Sequence, residues 1–484
     1  MHRCVAAVVV CLSSVSLAQD GGKVFDTSAR SPGFASSILP APAGWDGGVF
    51  VANYSFPTSA PDMSTQPWMT LDPRKQSERQ AYYDAVRDYA LTMFQGDIKN
   101  GCVATSPAWF HAPWMTFSFG TSIEELEAGD IGAGREPLCG LTEERAAPVG
   151  FLHKNQLRRV QNWAVGAFNS TGGVTFGKVF KLDGSVDLAH TKFMAGAFVA
   201  KFLFTEATEA EVPYLKGAPT WAANVYASAD DKTKRVTRSM RLAQIDFGVR
   251  DPRMEAQSGW VYGTFLYFAD EASPQSDWKK NLVAVGSMWG NDPGVLDPKL
   301  YKEQVINPVV LKLRDDGKLF DLSKRKEFGW KDRMNGPIDN PVSSCLSCHG
   351  TAQVHQDKSI KHFITPTLKS PATDDQRMWW FTNVKAGGTF TFTPQQLARV
   401  NQGAPSTQRA TWDAALMKGF VSADYSLQLR MGIENAREFA LDQAVEKVLR
   451  TSVPGLIDGQ RVRDRRRDGE KERKRLEREG AAPL

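Results

Sequence analysis

Alternating apolar and polar positions in the middle of the chain predict a β-sheet. Between residues 175 and 291, four runs show the period of two that is typical of strands. The four runs are Ala195–Ala207, Lys234–Arg250, Gly259–Asp270 and Leu282–Gly290. Because turn-forming residues separate them by short links, they predict an antiparallel meander.

Helical periodicity appears on both sides of this region. Before it, Asp72 and Pro73 have the pattern of an N-cap followed by proline at the first helical position, and the helix is expected to end at Gly96. After residue 298, helices are expected near 394–401, 407–419 and 426–448. Helices that flank a sheet, rather than alternate with its strands, indicate an α+β fold.

The first eighteen residues have the features of a cleavable signal peptide. Arg3 precedes the apolar run Val5–Val15, and Ser16-Leu17-Ala18 supplies small residues for cleavage. A buried first strand is the alternative. We therefore expect a periplasmic or secreted protein that begins near Gln19. No stretch approaches the roughly 20 apolar residues of a membrane span, so no transmembrane segment is expected.

The net charge of +5 is concentrated in the tail. Residues 461–479 hold ten Lys or Arg and six Asp or Glu, which gives +4 for that segment alone. The rest of the chain is close to neutral, which argues against a nucleic-acid partner. The tail has no apolar face, so we expect disorder and weak electrostatic docking to an acidic partner or an anionic membrane surface.

Removal of the leader would leave four of the six cysteines. Cys102 and Cys139 are expected to form a disulfide that closes a loop of 37 residues, as suits an oxidising compartment. Two free thiols are the alternative. Cys345 and Cys348 belong to a different pattern.

Residues 344–350 have the sequence SCLSCHG, which contains a CxxCH motif. Two cysteines three apart on one helical turn suit thioether bonds to the two vinyl groups of one haem, and the next residue, His349, then lies under the iron. Haem attachment of this kind takes place outside the cytoplasm, in agreement with the signal peptide. Cys345, Cys348 and His349 are therefore predicted to hold one covalent haem c.

Two other interpretations of the CxxC pair compete. Zinc would need His355 and His362 as further ligands, but these are seven apart, whereas zinc sites usually have three to five intervening residues. A thioredoxin-type dithiol would leave His349 unexplained, and the Trp-Cys-Gly-Pro-Cys context of such dithiols is absent.

The motif, with the TAQ that follows it and the NGPIDNP that precedes it, resembles the monohaem c-type cytochromes of bacteria. A second similarity covers residues 193–270. There FMAGAFVAKFLF, QIDFGVRD and GWVYGTF are similar to the sheet of the cytochrome c-prime-beta family and its relatives with a lysine-cross-linked haem. Those are antiparallel β-sandwich proteins that bind or oxidise small nitrogen compounds. The second resemblance makes Lys201 a candidate near the haem edge; a lysine on the wetter face of a strand is the alternative.

These features predict an α+β protein with a central antiparallel β-sheet domain and a mainly helical cytochrome c-like domain. The expected divisions are a signal peptide at 1–18, a wrapping region with one long helix at 19–170, the β domain at 171–297, the haem domain at 298–453 and the charged tail at 454–484. About 75 residues separate the sheet from the CxxCH motif, which favours a separate haem domain.

The second axial ligand of the iron would decide the function. A Met thioether suits electron transfer, a second His lowers the potential, and an open site permits ligand binding or catalysis. The candidates are Met378, Met417, Met431, His355 and His362, or no ligand at all. Met378 is preferred, because it lies 29 residues beyond His349 within the aromatic sequence RMWWFTN.

We expect single-electron transfer with a redox partner protein. The alternative is a haem-dependent oxidoreductase or a protein that binds small nitrogen oxide-like ligands at an open iron site, and a redox sensor is a third hypothesis.

Overall fold

The computed structural model describes residues 52–98, 105–113, 136, 138–181, 185–231, 234–270, 277–357, 373–378, 380–384 and 419–437. Several features expected from the sequence lie outside these residues. They are the signal peptide, Cys102, His362, Met417, the helix near 394–401, nearly all of the helix near 407–419, and the charged tail.

Within the described residues, nine strands form one antiparallel sheet in the order β1-β3-β4-β6-β7-β8-β9, with β2 paired to β3 and β5 paired to β6. The strands are β1 Trp109–Phe110, β2 Thr142–Glu143, β3 Asn162–Asn169, β4 Phe198–Thr205, β5 Thr220–Tyr226, β6 Arg235–Arg250, β7 Trp260–Tyr267, β8 Leu282–Met288 and β9 Gln304–Ile306. The four strands predicted from periodicity are confirmed as β4, β6, β7 and β8, which are antiparallel neighbours.

The sheet extends beyond residues 171 and 297, between which it was expected. Strand β3 precedes that range and pairs with β4 over seven residues. Its sequence, NWAVGAFN, has no polar residue between its two asparagines, and nearly all of its side chains are buried, on both faces of the sheet. Strand β5 pairs only with the first half of the long β6, so the meander is interrupted there.

Helices surround the sheet and confirm the α+β class. They are α1 Pro67–Thr70, α2 Gln76–Leu91, α3 Ser170–Val179, α4 Pro308–Asp315, α5 Cys345–His349, α6 Asp374–Met378 and α7 at 427–437. A two-stranded sheet joins β10 Gln353–His355 to β11 Phe420–Ser422. Within the described part of the chain, no helix is long and apolar enough to cross a membrane.

The start predicted for the long helix is wrong by three residues. Helix α2 begins at Gln76 and ends at Leu91, before Gly96. Asp72 does not cap it, because the Asp72 carboxylate accepts hydrogen bonds from the Arg74 guanidinium and from the Arg74 backbone N–H.

The two faces of the sheet are covered by different segments. On one face, rings from the region of α2 pack on β4: the centroids of Tyr89 and Phe198 are 5.0 Å apart and those of Phe94 and Phe202 are 4.9 Å apart. Lys201 on β4 belongs to the opposite face. That face also carries Tyr262 of β7, whose ring centroid lies 4.3 Å from that of His349, so the CxxCH motif packs directly on the sheet.

Candidate cofactor-attachment site

The CxxCH motif forms the single helical turn α5, and a capping box fixes its start. The Ser344 hydroxyl accepts a hydrogen bond from the Ser347 N–H (3.0 Å), and the Ser347 hydroxyl accepts one from the Ser344 N–H (2.8 Å). Cys345 and Cys348 are free thiols on this turn, and both residues are partly exposed. The structure therefore brings the two predicted attachment residues together with His349.

The environment of the two thiols differs from that of a redox dithiol. Burial raises the pKa of Cys348 to about 11, and burial also raises the pKa of Cys345. Redox-active CxxC cysteines instead have a lowered pKa, because the thiolate is their reactive form. Both groups are therefore neutral thiols at pH 7.

The imidazole of His349 is held in one tautomer. Its Nδ1 lies 2.8 Å from the backbone carbonyl oxygen of Tyr425. A carbonyl oxygen only accepts, so Nδ1 carries the hydrogen and the lone pair of Nε2 is available to a metal. Burial lowers the pKa of His349 to about 4, so the ring is neutral at pH 7. This is the protonation state in which histidine ligates metals.

The carbonyl that holds His349 belongs to a strained turn. Asp424 and Tyr425 have φ angles of 51° and 62°, which non-glycine residues rarely adopt. The buried Asp424 carboxylate accepts hydrogen bonds from the Phe193 N–H (2.6 Å) and the Trp260 indole N–H (3.0 Å). Such strain persists only where the surroundings impose it. The contacts of Asp424 with the sheet supply that constraint.

Charged side chains occupy the sheet face near the thiols. Gln244 Nε2 donates to Asp246 Oδ1 (2.7 Å) and to Asp339 Oδ2 (2.9 Å), which links β6 to the loop before the motif. Burial, together with the Asp339 charge, raises the pKa of Asp246 to about 8. Asp339 also contributes to the raised pKa of both thiols.

Lys201 belongs to this charged group. Its Nζ lies 2.9 Å from Glu144 Oε1. Burial lowers the pKa of Lys201, but the negative charges of Glu144 and Asp246 outweigh that effect and raise it. The positive charge of Lys201 in turn contributes to lowering the pKa of Cys348 and of His349. Lys201 is therefore an ion-paired residue on the sheet face near the motif.

Met378 lies beside the motif rather than far from it. Trp330, Trp380 and Phe381 form an aromatic cluster, and both Met378 and Cys348 pack against it. The Met378 sulfur accepts a hydrogen bond from the Gly294 N–H (3.3 Å). Among the described residues, the buried indole N–H of Trp380 has no hydrogen-bond partner. An unpaired buried donor is costly, so this N–H is a candidate contact for a polar group of a bound molecule.

The other described candidates have different surroundings. His355 is buried on β10, where its ring packs on Phe420 and its Nδ1 accepts a hydrogen bond from the Asp357 N–H (3.0 Å). Met431 is half-buried on α7. No three His, Cys, Asp or Glu residues gather as a metal site in the described ranges, and His362, needed for the zinc interpretation, lies outside them.

Cys139 is disulfide-bonded, whereas Cys102, its predicted partner, lies outside the described residues. Three residues of the site were not singled out from the sequence: Tyr262, Asp424 and Tyr425. Tyr262 occurs in the strand sequence GWVYGTF, but no short motif marks Asp424 or Tyr425, which follow His349 by about 75 residues.

Comparison with known proteins adds no information about this site. No protein-family model, no curated protein and no solved structure matches the chain.

Proposed function

We propose that the protein is an exported monohaem c-type cytochrome that transfers single electrons. Cys345 and Cys348 would hold the haem, and His349 would ligate its iron. The observation that carries the proposal is the hydrogen bond from His349 Nδ1–H to the Tyr425 carbonyl oxygen. It leaves Nε2 with a lone pair rather than a hydrogen, on the same helical turn as two free thiols. A redox dithiol would not need His349 in this state, and no three His, Cys, Asp or Glu side chains gather as a metal site within the described ranges, as a zinc site would require.

The chain's residues would have distinct roles in this function. Each thiol would add its S–H across one vinyl group, with sulfur bonding to one vinyl carbon and hydrogen to the other. His349 would stay neutral and supply the Nε2 lone pair. When bound, haem supplies a one-electron Fe(II)/Fe(III) couple.

The aromatic cluster of Trp330, Trp380 and Phe381 supports an electron-transfer site. It would keep water away from a bound haem, and water exclusion is one of the means by which a protein sets the reduction potential. The indole N–H of Trp380, which has no partner in the part of the chain that the structure describes, is a candidate donor to a haem propionate. Met378 packs against the same cluster as Cys348, so it remains the candidate distal ligand.

A second candidate function rests on the charged sheet face. Lys201, Asp246 and Asp339 affect the pKa of Cys348 or Cys345, so they lie close to the attachment site. An electron carrier does not need such groups, whereas a haem-dependent oxidoreductase or a binder of small nitrogen compounds can use them as proton donors. An open iron site would favour this second function.

The first experiment tests haem attachment. The purified mature protein is expected to weigh one haem more than its polypeptide, and acid–acetone is expected to leave the colour on the protein. Cys348→Ser is expected to give little stable holoprotein. His349→Ala is expected to lose the ultraviolet–visible absorption spectrum of the wild-type holoprotein. His190→Ala is the matched control, because His190 is exposed and paired with Asp187. Colour that extracts fully from the wild type contradicts the proposal.

The second experiment separates the two functions. If Met378 ligates the iron, the oxidised protein shows a weak near-infrared Met–Fe(III) band, which Met378→Ala abolishes. The variant also has a lower potential and binds carbon monoxide when reduced. Met431→Ala is the control and is expected to keep the band. Rapid carbon monoxide binding by reduced wild type would instead favour the oxidoreductase or ligand-binding function.

A further inference from the structure

The carbonyl oxygen of Tyr425 accepts two hydrogen bonds. One comes from His349 Nδ1–H at 2.8 Å and the other from the Tyr262 hydroxyl, also at 2.8 Å. A carbonyl oxygen has two lone pairs, so it accommodates both donors. Each donor draws electron density from the oxygen and so weakens the other bond. Tyr262 and His349 therefore compete for one acceptor.

Tyr262 is placed for this contact by the sheet. It lies on β7 with its ring 4.3 Å from the His349 ring, centroid to centroid. Its strand partner on β6 is Gly248. A Cβ atom at Gly248 would lie 3.0 Å from Tyr262 Cε1 and 2.9 Å from a methyl carbon of Val199. The glycine therefore leaves the space that the Tyr262 ring occupies.

The shared oxygen is fixed in position. Asp424, the preceding residue, is bound to Trp260 and Phe193. The Tyr425 side chain is also anchored, because its hydroxyl donates to the Val384 carbonyl (2.6 Å) and accepts from the Val384 N–H (2.8 Å). With its backbone and side chain both held, the carbonyl cannot turn away from either donor. A change in the strength of one hydrogen bond therefore changes the strength of the other.

A hydrogen bond at Nδ1 changes how strongly Nε2 donates to iron. A stronger bond gives the ring more imidazolate character, which stabilises Fe(III) and lowers the reduction potential. We propose that Tyr262 is a positioning residue that weakens this bond by sharing the Tyr425 carbonyl, and so raises the reduction potential of the haem. The inference rests on the proposed function, because it requires His349 to be an iron ligand.

Potentiometric titration of the holoprotein tests this proposal. Tyr262→Phe keeps the ring against His349 and removes only the hydroxyl. The reduction potential of this variant is expected to fall by about 40 mV. This corresponds to a shift of the redox equilibrium toward Fe(III) by about fivefold, at 59 mV per tenfold for one electron. Tyr262→3-fluorotyrosine, nearly isosteric and a stronger donor, is expected to raise the potential. It also keeps the test available if the Phe variant folds poorly.

Tyr267→Phe is the matched control, because it makes the same change on the same strand. The Tyr267 hydroxyl donates to the Lys216 carbonyl. Tyr267 lies five positions after Tyr262 on the same strand, and this odd offset places it on the other face of the sheet. Its potential is expected to equal that of the wild type. A Tyr262→Phe potential that is unchanged or higher overturns the inference and leaves the proposed function standing. A wild type without covalent haem overturns both.

Discussion

Removal of the Asp424 carboxylate is expected to destabilise the protein strongly. The carboxylate is buried between the sheet and the turn that holds His349. Asp424→Ala would leave two donors without an acceptor, the Phe193 N–H and the Trp260 indole N–H. It would also remove a negative charge 3.5 Å from the buried Arg250 Nε.

The magnitude follows from these lost contacts. Each buried donor left unpaired costs about 1–3 kcal/mol, so two of them cost about 2–6 kcal/mol. A loss of about 4 kcal/mol is a large part of the roughly 5–15 kcal/mol by which domains are stable. Asp424→Asn keeps one acceptor oxygen but turns an N–H toward the other donor. The free energy of unfolding that Asp424→Asn loses is therefore expected to lie between zero and the loss of the alanine variant.

Equilibrium unfolding in urea, followed by tryptophan fluorescence, measures these losses. Asp230→Ala is the control, since Asp230 forms an exposed ion pair with Arg159. Such pairs contribute about 1 kcal/mol or less. The expected order of destabilisation is Asp424→Ala, then Asp424→Asn, then Asp230→Ala. An Asp424→Ala loss no larger than that of the control would refute the role assigned to this carboxylate.

Three further predictions concern the sheet face and the tail. Gly248→Ala is expected to cost about 1–3 kcal/mol in urea unfolding, because the added methyl group overpacks the space filled by Tyr262; unchanged stability would contradict this packing. Because burial and the Asp339 charge raise the pKa of Asp246 to about 8, the folded state retains a proton that the unfolded state loses near pH 4. The free energy of unfolding is then expected to fall as the pH rises from about 5 to 8, by at most about 1.4 kcal/mol per pH unit. Asp246→Asn is expected to remove that pH dependence when unfolding is measured across this range. Deletion of residues 455–484 is expected to leave haem attachment intact, as a haem-stained gel would show, while weakening any salt-sensitive binding to an acidic partner.

The sequence alone determined the features that depend on near neighbours. The apolar and aromatic runs of β4, β6, β7 and β8 gave their positions, because turn-forming residues separate runs that are typical of strands. The relation of Cys345, Cys348 and His349 was also accessible, since all three lie on one helical turn. Their spacing therefore decides their geometry.

Tertiary structure decided what distant segments contribute. Strand β3 escaped prediction because its sequence, NWAVGAFN, has no polar residue between its two asparagines and so shows no alternation. The start of α2 moved because Arg74 binds Asp72. The acceptor for His349 is the carbonyl of Tyr425, 76 residues later in the chain. The competing hydroxyl belongs to Tyr262, which precedes Tyr425 by 163 residues. No local pattern encodes such contacts, because they form only when the turn after β11 docks on the sheet.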